Sequence, residues 1–476
     1  MTSTIRRVWA GAGRSSIFRP IWAITTAPTT ASLQSTKPPA QPEGKRSNSD
    51  KEQYDIALKS GIYLNEKTHL AAKLSLSRSQ YGLPANVYTD LQNPVWDAYS
   101  RIDKKDLNSF YLYGDYKEKA YALSLRGYYD EYRDIWSIYD DALYSSVQPK
   151  TSYDDTRLGA IAKASMTQES HKESFLFQAE QNVHNRQGGA MPNAAFQADT
   201  LKASYLHEWA LSEDLKFEGG LSYTQLQAKK ESGAGALNPA EDKEALDAQA
   251  KLSHTGDEST LYASISKKSR MPSMVEMFTF FPFPWITANP GLKPEKSLQY
   301  SGGYQQMLGE TSLIDLSLYY YDIRDLIVSS SMSYSNREKA KHYGAELRME
   351  SEAYERHQLR LSYAYAHSRD SEEKALVLIP EHRVKLEDTL AIAKAWKGYL
   401  SYQYLGARYS TNTATYSEEL KRLGVCHLLE AQALYEISVQ TKLRVGIKNL
   451  LDEAYEWKYG YPTQGRSYYV SLQSAF

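Results

Sequence analysis

The chain has 476 residues, with 56 lysines and arginines against 57 aspartates and glutamates, a formal net charge of −1. That balance gives no electrostatic case for nucleic acid or anionic lipid as the main partner, and the single Cys426 excludes a disulfide framework and a cysteine-based metal site. No apolar run approaches the roughly 20 residues of a spanning helix, which excludes a helical membrane protein but not a barrel, whose strands alternate apolar and polar side chains. Tyrosine occurs 39 times against 11 phenylalanines, an excess that suits strands and membrane interfaces, where an apolar ring with a polar tip sits at headgroup level.

In chain order, residues 1–46 carry Arg6 and Arg7, then apolar residues interrupted by Arg14 and Arg19, then Ser, Thr, Pro and Ala through Pro42. This is a poor signal peptide and shows no alternation, so it reads as a disordered or non-native lead-in. Residues 47–476 read as one antiparallel meander. Leu70, Ala72, Leu74 and Leu76 alternate with Lys73, Ser75 and Ser77; Leu359, Leu361, Tyr363 and Tyr365 alternate with Gln358, Arg360 and Ser362; Leu443, Val445 and Ile447 alternate with Lys442, Arg444 and Lys448.

Tight polar turns fall at Asn65–Thr68, Ser212–Leu215, Thr255–Glu258, Leu308–Thr311 and Glu436–Thr441. Between them lie long connections at 79–106, 131–155, 229–244, 268–295, 324–341 and 407–423. Short turns on one side and long loops on the other are the pattern of a transmembrane barrel. The count is about nineteen strands of roughly 10 residues each. The first, 54–64, leads into a short turn and so runs from outside to inside, opposite to the entry of a barrel from the periplasm. One or three leading strands are therefore expected to be missing.

Two motifs are specific. The first is Arg270-Met271-Pro272-Ser273-Met274-Val275-Glu276-Met277-Phe278, followed by Asn289-Pro290-Gly291-Leu292-Lys293-Pro294-Glu295. The second is Asn449-Leu450-Leu451-Asp452 with Tyr455, then Gly460-Tyr461-Pro462 with Gly465 and Arg466. A final strand follows with Tyr468, Val470 and Leu472 on one face and Phe476 at the carboxyl terminus. These stretches resemble the barrel signatures of TonB-dependent outer-membrane receptors, over about residues 47–476. The resemblance implies an all-β, up-and-down transmembrane barrel of the 22-stranded type, in the bacterial outer membrane, and no enzyme activity. It reads Tyr468, Val470, Leu472 and Phe476 as a barrel assembly signal.

The resemblance further implies energised uptake of a scarce, bulky metal chelate, a ferric siderophore ahead of cobalamin or heme. The expected partners are outer-membrane lipid, the barrel assembly machinery, that ligand and, in the family, the TonB energy-coupling complex. The family's plug domain and TonB-binding segment are not detectable, so a truncated or frame-disrupted receptor is expected, with a plugless passive pore as the alternative. Phe278, Phe280, Phe281, Phe283 and Trp285 are the candidates for ligand contact, since exposed aromatic rings stack on planar or catecholate groups. Loop packing explains the same rings slightly better. The ten histidines show no metal-site spacing, no cofactor is expected, and nothing resembles a nucleophile elbow.

Overall fold

The computed structural model describes residues 44–474, apart from 91–93, 96–97, 190–192, 233–240, 279–288, 330–332, 413 and 416, together with 3–8, 21–26 and 32–33. Its main sheet has 21 strands, all but two of them between Lys51 and Ser474. The nineteen of that stretch match the count read from the alternation. Each pairs antiparallel with the next along the chain, from Lys51–Tyr63 against Thr68–Leu83 through to Thr441–Lys448 against Ser467–Ser474. A short hairpin of Arg408–Asn412 and Ser417–Leu423 stands outside the sheet, between Trp396–Leu405 and Cys426–Glu436.

The lead-in contains two further strands. Ser3–Val8 pairs with Ile21–Thr26, which pairs with Lys51–Tyr63 through Thr25 opposite Asp55. Neither six-residue segment alternates apolar with polar residues, so pairing places them where pattern did not. Ser3–Val8 comes alongside the last strand, and the two ends of the sheet meet.

The short connections, 64–67, 118–120, 168–170, 211–214, 256–258, 309–311, 352–356, 394–395 and 437–440, all lie at one end. Most connections at the other end are shorter than the sequence suggests, whereas the one expected at 407–423 spans 406–425 and holds the Arg408–Leu423 hairpin. The loops expected at 79–106 and 131–155 shrink to 84–99 and 139–150, and the one at 324–341 is almost all strand, paired down to Ser329 opposite Tyr334. Several strands have 18 residues, against the roughly 10 that cross a bilayer. The ladder thus continues outside the membrane, where polar side chains on both faces make strand read as loop.

Exposure assigns the faces. On Ser312–Ser329, Leu316, Leu318 and Tyr320 are exposed while Tyr319 and Tyr321 are partly covered. Lateral partners share the outward face, so Tyr300, Tyr320, Tyr343 and His367 form one aromatic row across four strands. Their ring centroids are 6.4, 6.3 and 4.9 Å apart. Elsewhere on the wall, Trp396 stacks on Tyr435 at 4.6 Å, and Tyr404 meets His427 eight residues further along the same strands. At roughly 3.3 Å per residue this separates the two aromatic levels by about 26 Å of strand, or about 20 Å across the bilayer at a tilt of roughly 40°. Leu316 lies between such levels. Leu316→Arg should therefore cost about 2–4 kcal/mol of folding stability in vesicles. Ser317→Arg, one residue away on the lumen face, should leave the denaturation midpoint nearly unchanged.

Candidate ligand site

The connection 271–294 begins where Pro272, fully buried, stops the strand Ser259–Arg270. Ser273 and Glu276 then form a reciprocal cap on the short helix Met274–Phe278. The Ser273 amide donates to Glu276 Oε2 at 2.7 Å, and the Glu276 amide donates to Ser273 Oγ at 3.4 Å. Arg270 ties both ends of the loop together. It donates to both Glu295 oxygens at 2.7 Å and to both Glu276 oxygens at 3.0–3.1 Å. Glu295 also accepts the Ile327 amide at 2.7 Å, joining the cluster to the next strand. Burial would raise the Glu276 carboxyl, but the Arg270 and Ser273 hydrogen bonds outweigh it and hold that group below the usual carboxylate range. At the far end of the loop Asn289 donates to the Tyr334 carbonyl at 3.0 Å. Asn336 grips Lys293 through both backbone groups, at 2.9 and 3.0 Å.

The loop folds into the barrel. Met277, Phe278 and Leu292 are buried with Phe196, Ala198, Leu226, Ala228 and Ile327. Those partners sit on strands up to three places from Ser259–Arg270 on one side and two on the other. They also share the face opposite the exposed Leu201, Leu221 and Leu318, which is the lumen face. Only a segment crossing the concave inner wall can touch all of them. Phe278 stacks on Phe196 with centroids 5.1 Å apart.

Below the loop the lumen wall carries tyrosines that hold cations. Arg157 lies 5.1 Å over the Tyr128 ring, Arg126 lies 5.3 Å over Tyr113, and Lys251 lies 5.1 Å over Tyr262. Lys105 sits between Tyr81 and Tyr132 at 5.7 and 5.4 Å. Tyr111 stacks on Tyr128 at 5.8 Å, which extends the array sideways. The wall therefore presents π-faces beside cations, of which Arg157 is also paired with Asp130 at 2.5 Å and Lys251 with Glu218 at 3.4 Å.

A second cluster joins the beginning of the chain to its end on the long-loop side. The Val87 amide donates to the Gly460 carbonyl at 3.0 Å, and Asn86 Nδ2 donates to the Tyr459 carbonyl at 2.9 Å. Tyr88 stacks on Tyr459 at 4.5 Å and donates its hydroxyl to Glu456 at 2.6 Å. That bond, then burial, pushes the Tyr88 hydroxyl up to about 12. Within the second motif, Asn449 caps Glu453 through its amide and carbonyl at 2.9 Å each. Asp452 accepts the Arg466 amide at 2.7 Å, a contact against which any side chain on Gly465 would press. Tyr455 accepts from the Thr463 amide at 2.9 Å, and Tyr461 and Pro462 form a short strand against Glu456–Lys458.

The family model "TonB dependent receptor-like, beta-barrel" matches residues 27–450. The chain belongs to the TonB-dependent receptors. Among solved structures the receptor is similar to "Copper transporter OprC", at TM-score 0.81 and 17% identity over 97% of this chain and 76% of that one. It is also similar to the ferric-catecholate import receptor Fiu from E. coli K12, at TM-score 0.73 and 12% identity over 98% and 78%. The siderophore receptor PiuA from Acinetobacter baumannii matches at TM-score 0.72 and 12% identity over 98% and 82%. At these identities the likeness concerns the fold. The receptor is thus a protein of the bacterial outer membrane, in a family of transporters and not of enzymes.

Structure sorts the residues of the receptor's motifs by task. Arg270, Glu276, Glu295, Asn289 and Leu292 are brought together in the loop anchor, with Pro290 in its turn and Pro294 just before the returning strand. Phe278 is 2% exposed and packs against Phe196 in the loop's apolar cluster. Phe280, Phe281, Phe283, Trp285 and Phe476 lie outside the described residues. Tyr468, Val470 and Leu472 are exposed on the outward face of the last described strand. Asn336, the apolar lumen positions Phe196, Leu226 and Ala228, and the tyrosine–cation pairs escaped the sequence reading. One local signal pointed to the second group: apolar residues at lumen parity near a strand's outer end, where a lumen row is ordinarily polar.

Proposed function

We propose that this receptor imports a ferric siderophore, a bulky anionic chelate, with cobalamin and heme as less favoured cargoes. The observation that carries this is the lumen wall itself, where Arg126, Arg157, Lys105 and Lys251 lie over tyrosine rings. Such pairs offer an aromatic face and a compensating charge to a negatively charged catecholate. In this reading Phe280, Phe281, Phe283 and Trp285 make the first contact, energy comes through TonB as in the full-length members of the family, and the terminal Phe476 serves barrel assembly. A second reading takes copper as cargo, since Met271, Met274 and Met277 bring three soft thioethers into one cluster.

Titration of the purified receptor with ferric catecholate, ferric hydroxamate, cobalamin, heme and cupric ion, followed by tryptophan fluorescence, separates these cargoes. Saturable quenching by a ferric chelate, weakened at least tenfold in Arg157→Ala and in Trp285→Ala, is the expected result. Quenching by cupric ion alone would replace the siderophore reading with the copper one.

A further inference from the structure

The ten histidines are scattered along the sequence, yet strand pairing brings two of them together on the outward wall. His171 opens the strand His171–Gly188 just after the short connection 168–170, and His207 lies near the end of Ala194–Ala210, just before the connection 211–214. Both therefore sit at the end of the barrel that faces the periplasm. Register sets His171 opposite Trp209 and His207 opposite Glu173, so the two imidazoles are diagonal neighbours across the strand pair. They share the face of the exposed Phe175 and Phe177.

The two rings converge. His171 Nδ1 and His207 Nε2 are 3.2 Å apart, and the ring centroids are 5.2 Å apart at an interplanar angle of 57°. A collinear hydrogen bond of this length would hold the centroids about 5.5 Å apart, so the nitrogens are turned toward a common point beside the line that joins them. An ion about 2.05 Å from both would see them at an angle of about 103°, close to tetrahedral. The surroundings set the tautomer of His207. Its Nδ1 is 3.2 Å from the Tyr205 hydroxyl, which is 3.4 Å from Glu173 Oε1. The carboxylate takes the tyrosine proton and the tyrosine oxygen takes the Nδ1 proton, which leaves a lone pair on Nε2 facing His171. Glu173 itself lies 3.7 Å from Nδ1, and among the described residues no other carboxylate is within ion-pair distance of either ring. Trp209 stacks on His171 at 5.3 Å and fixes the second ring. A carboxylate behind a ligating imidazole is the arrangement that orients a metal ligand and raises its basicity.

We propose that His171 and His207 form a binding site for a zinc ion, which staples the strands His171–Gly188 and Ala194–Ala210 together at the periplasmic rim. Imidazole nitrogen suits zinc, copper and nickel alike. The near-tetrahedral angle favours zinc, since a square-planar ion would need the two nitrogens about 2.9 Å apart. Among the described residues no group of three His, Cys, Asp or Glu side chains is arranged to hold a metal, so water fills the other two positions. Binding moves the His171 proton from Nδ1 to Nε2, and the ion takes the freed Nδ1 lone pair. With both rings neutral, no proton leaves the site. Tyr205 and Glu173 are positioning residues that act through His207. The uptake reading uses neither histidine, so the two proposals stand or fall separately.

The test titrates the full chain, stripped with a chelator and held in detergent micelles, with zinc ion by equilibrium dialysis. The wild type and His357→Gln, which alters a histidine at the same end paired with Asp388 at 2.8 Å, should bind one zinc ion alike. His171→Gln and His207→Gln should bind it at least tenfold more weakly. Tyr205→Phe leaves the His207 tautomer unset and should weaken binding roughly tenfold without changing the one-to-one stoichiometry. No binding by the wild type, or equal binding by His171→Gln and the wild type, would each overturn the proposal. Chemical labelling of the wild type does not depend on whether any variant folds. Zinc should protect His171 and His207 from diethyl pyrocarbonate and leave His357 as reactive as before. Unchanged reactivity of the pair, or equal protection of all three histidines, counts against the site.

Discussion

Arg270→Ala is expected to free the loop 271–294 from the mouth of the barrel. The substitution removes the one cation between Glu276 and Glu295, whose side chains are each only 13% exposed. Two carboxylates are then left facing each other without their shared donor. Removing one partner of a fully buried ion pair costs about 3–5 kcal/mol. Arg270 is itself 47% exposed, so solvent screening reduces this to about 2 kcal/mol, near a 30-fold shift toward the released loop. Native-state chymotrypsin cleavage beside Phe278, buried in the docked loop, should accelerate by that order. Arg270→Lys keeps the charge but loses the fork and should fall between. An unchanged cleavage rate in Arg270→Ala would show that apolar packing alone holds the loop.

The same cluster sets a pH dependence. The Glu276 carboxyl lies below its ordinary range in the docked loop and returns to roughly 4.3 when released. A lowered native value means that the stabilisation is fully present above the released value and is lost as pH falls through the docked one. Cleavage of the wild type should therefore rise only below about pH 4, and Arg270→Ala should show little of that rise.

Gly460→Val is the second large effect expected. Gly460 has φ +78°, and a Cβ there would lie 1.8 Å from Asn86 Oδ1. A β-branched residue pays roughly 1–2 kcal/mol for the left-handed backbone. Displacing Asn86 also gives up the hydrogen bonds from Asn86 and Val87, each worth about 1 kcal/mol. The combined loss of about 3 kcal/mol should appear as a lower midpoint of heat-modifiable electrophoretic mobility. Tyr88→Phe removes only the hydroxyl bond to Glu456 and should shift the midpoint less. Equal midpoints for Gly460→Val and wild type would mean that the contact between the first and last loops carries no stability.

Much of the fold was legible because a strand's period and a turn's composition are local. Leu70, Leu74 and Leu76 against Lys73 and Ser75 specify two faces without knowledge of any partner, and the turns at 64–67, 211–214 and 256–258 fall where polar turn residues cluster. Arg270, Pro272, Ser273 and Glu276 were legible for the same reason, since a strand end, a break and a capping box occupy seven consecutive residues. The outer ends of strands were not. Residues 324–329 and 334–341 carry charge on both faces, and only the ladder between them makes them strand. The tyrosine excess was legible as a membrane-interface signal, but part of its use lies on the inner face, beneath arginines and lysines, as at Tyr113, Tyr128 and Tyr262.

The sequence by itself determined an antiparallel barrel, nineteen of its strands, the side on which its long loops lie and the two motifs that mark its family. Tertiary structure decided three things. It carries Met277 and Phe278 along the inner wall to Phe196, it joins Asn86 to Tyr459 over 373 residues, and it gathers Lys296, Arg324 and Lys339 into one row. Each depends on strand register or on closure of the sheet. Register is set by the sum of many weak cross-strand contacts, and no window of the chain short enough to show a motif contains both sides of such a contact.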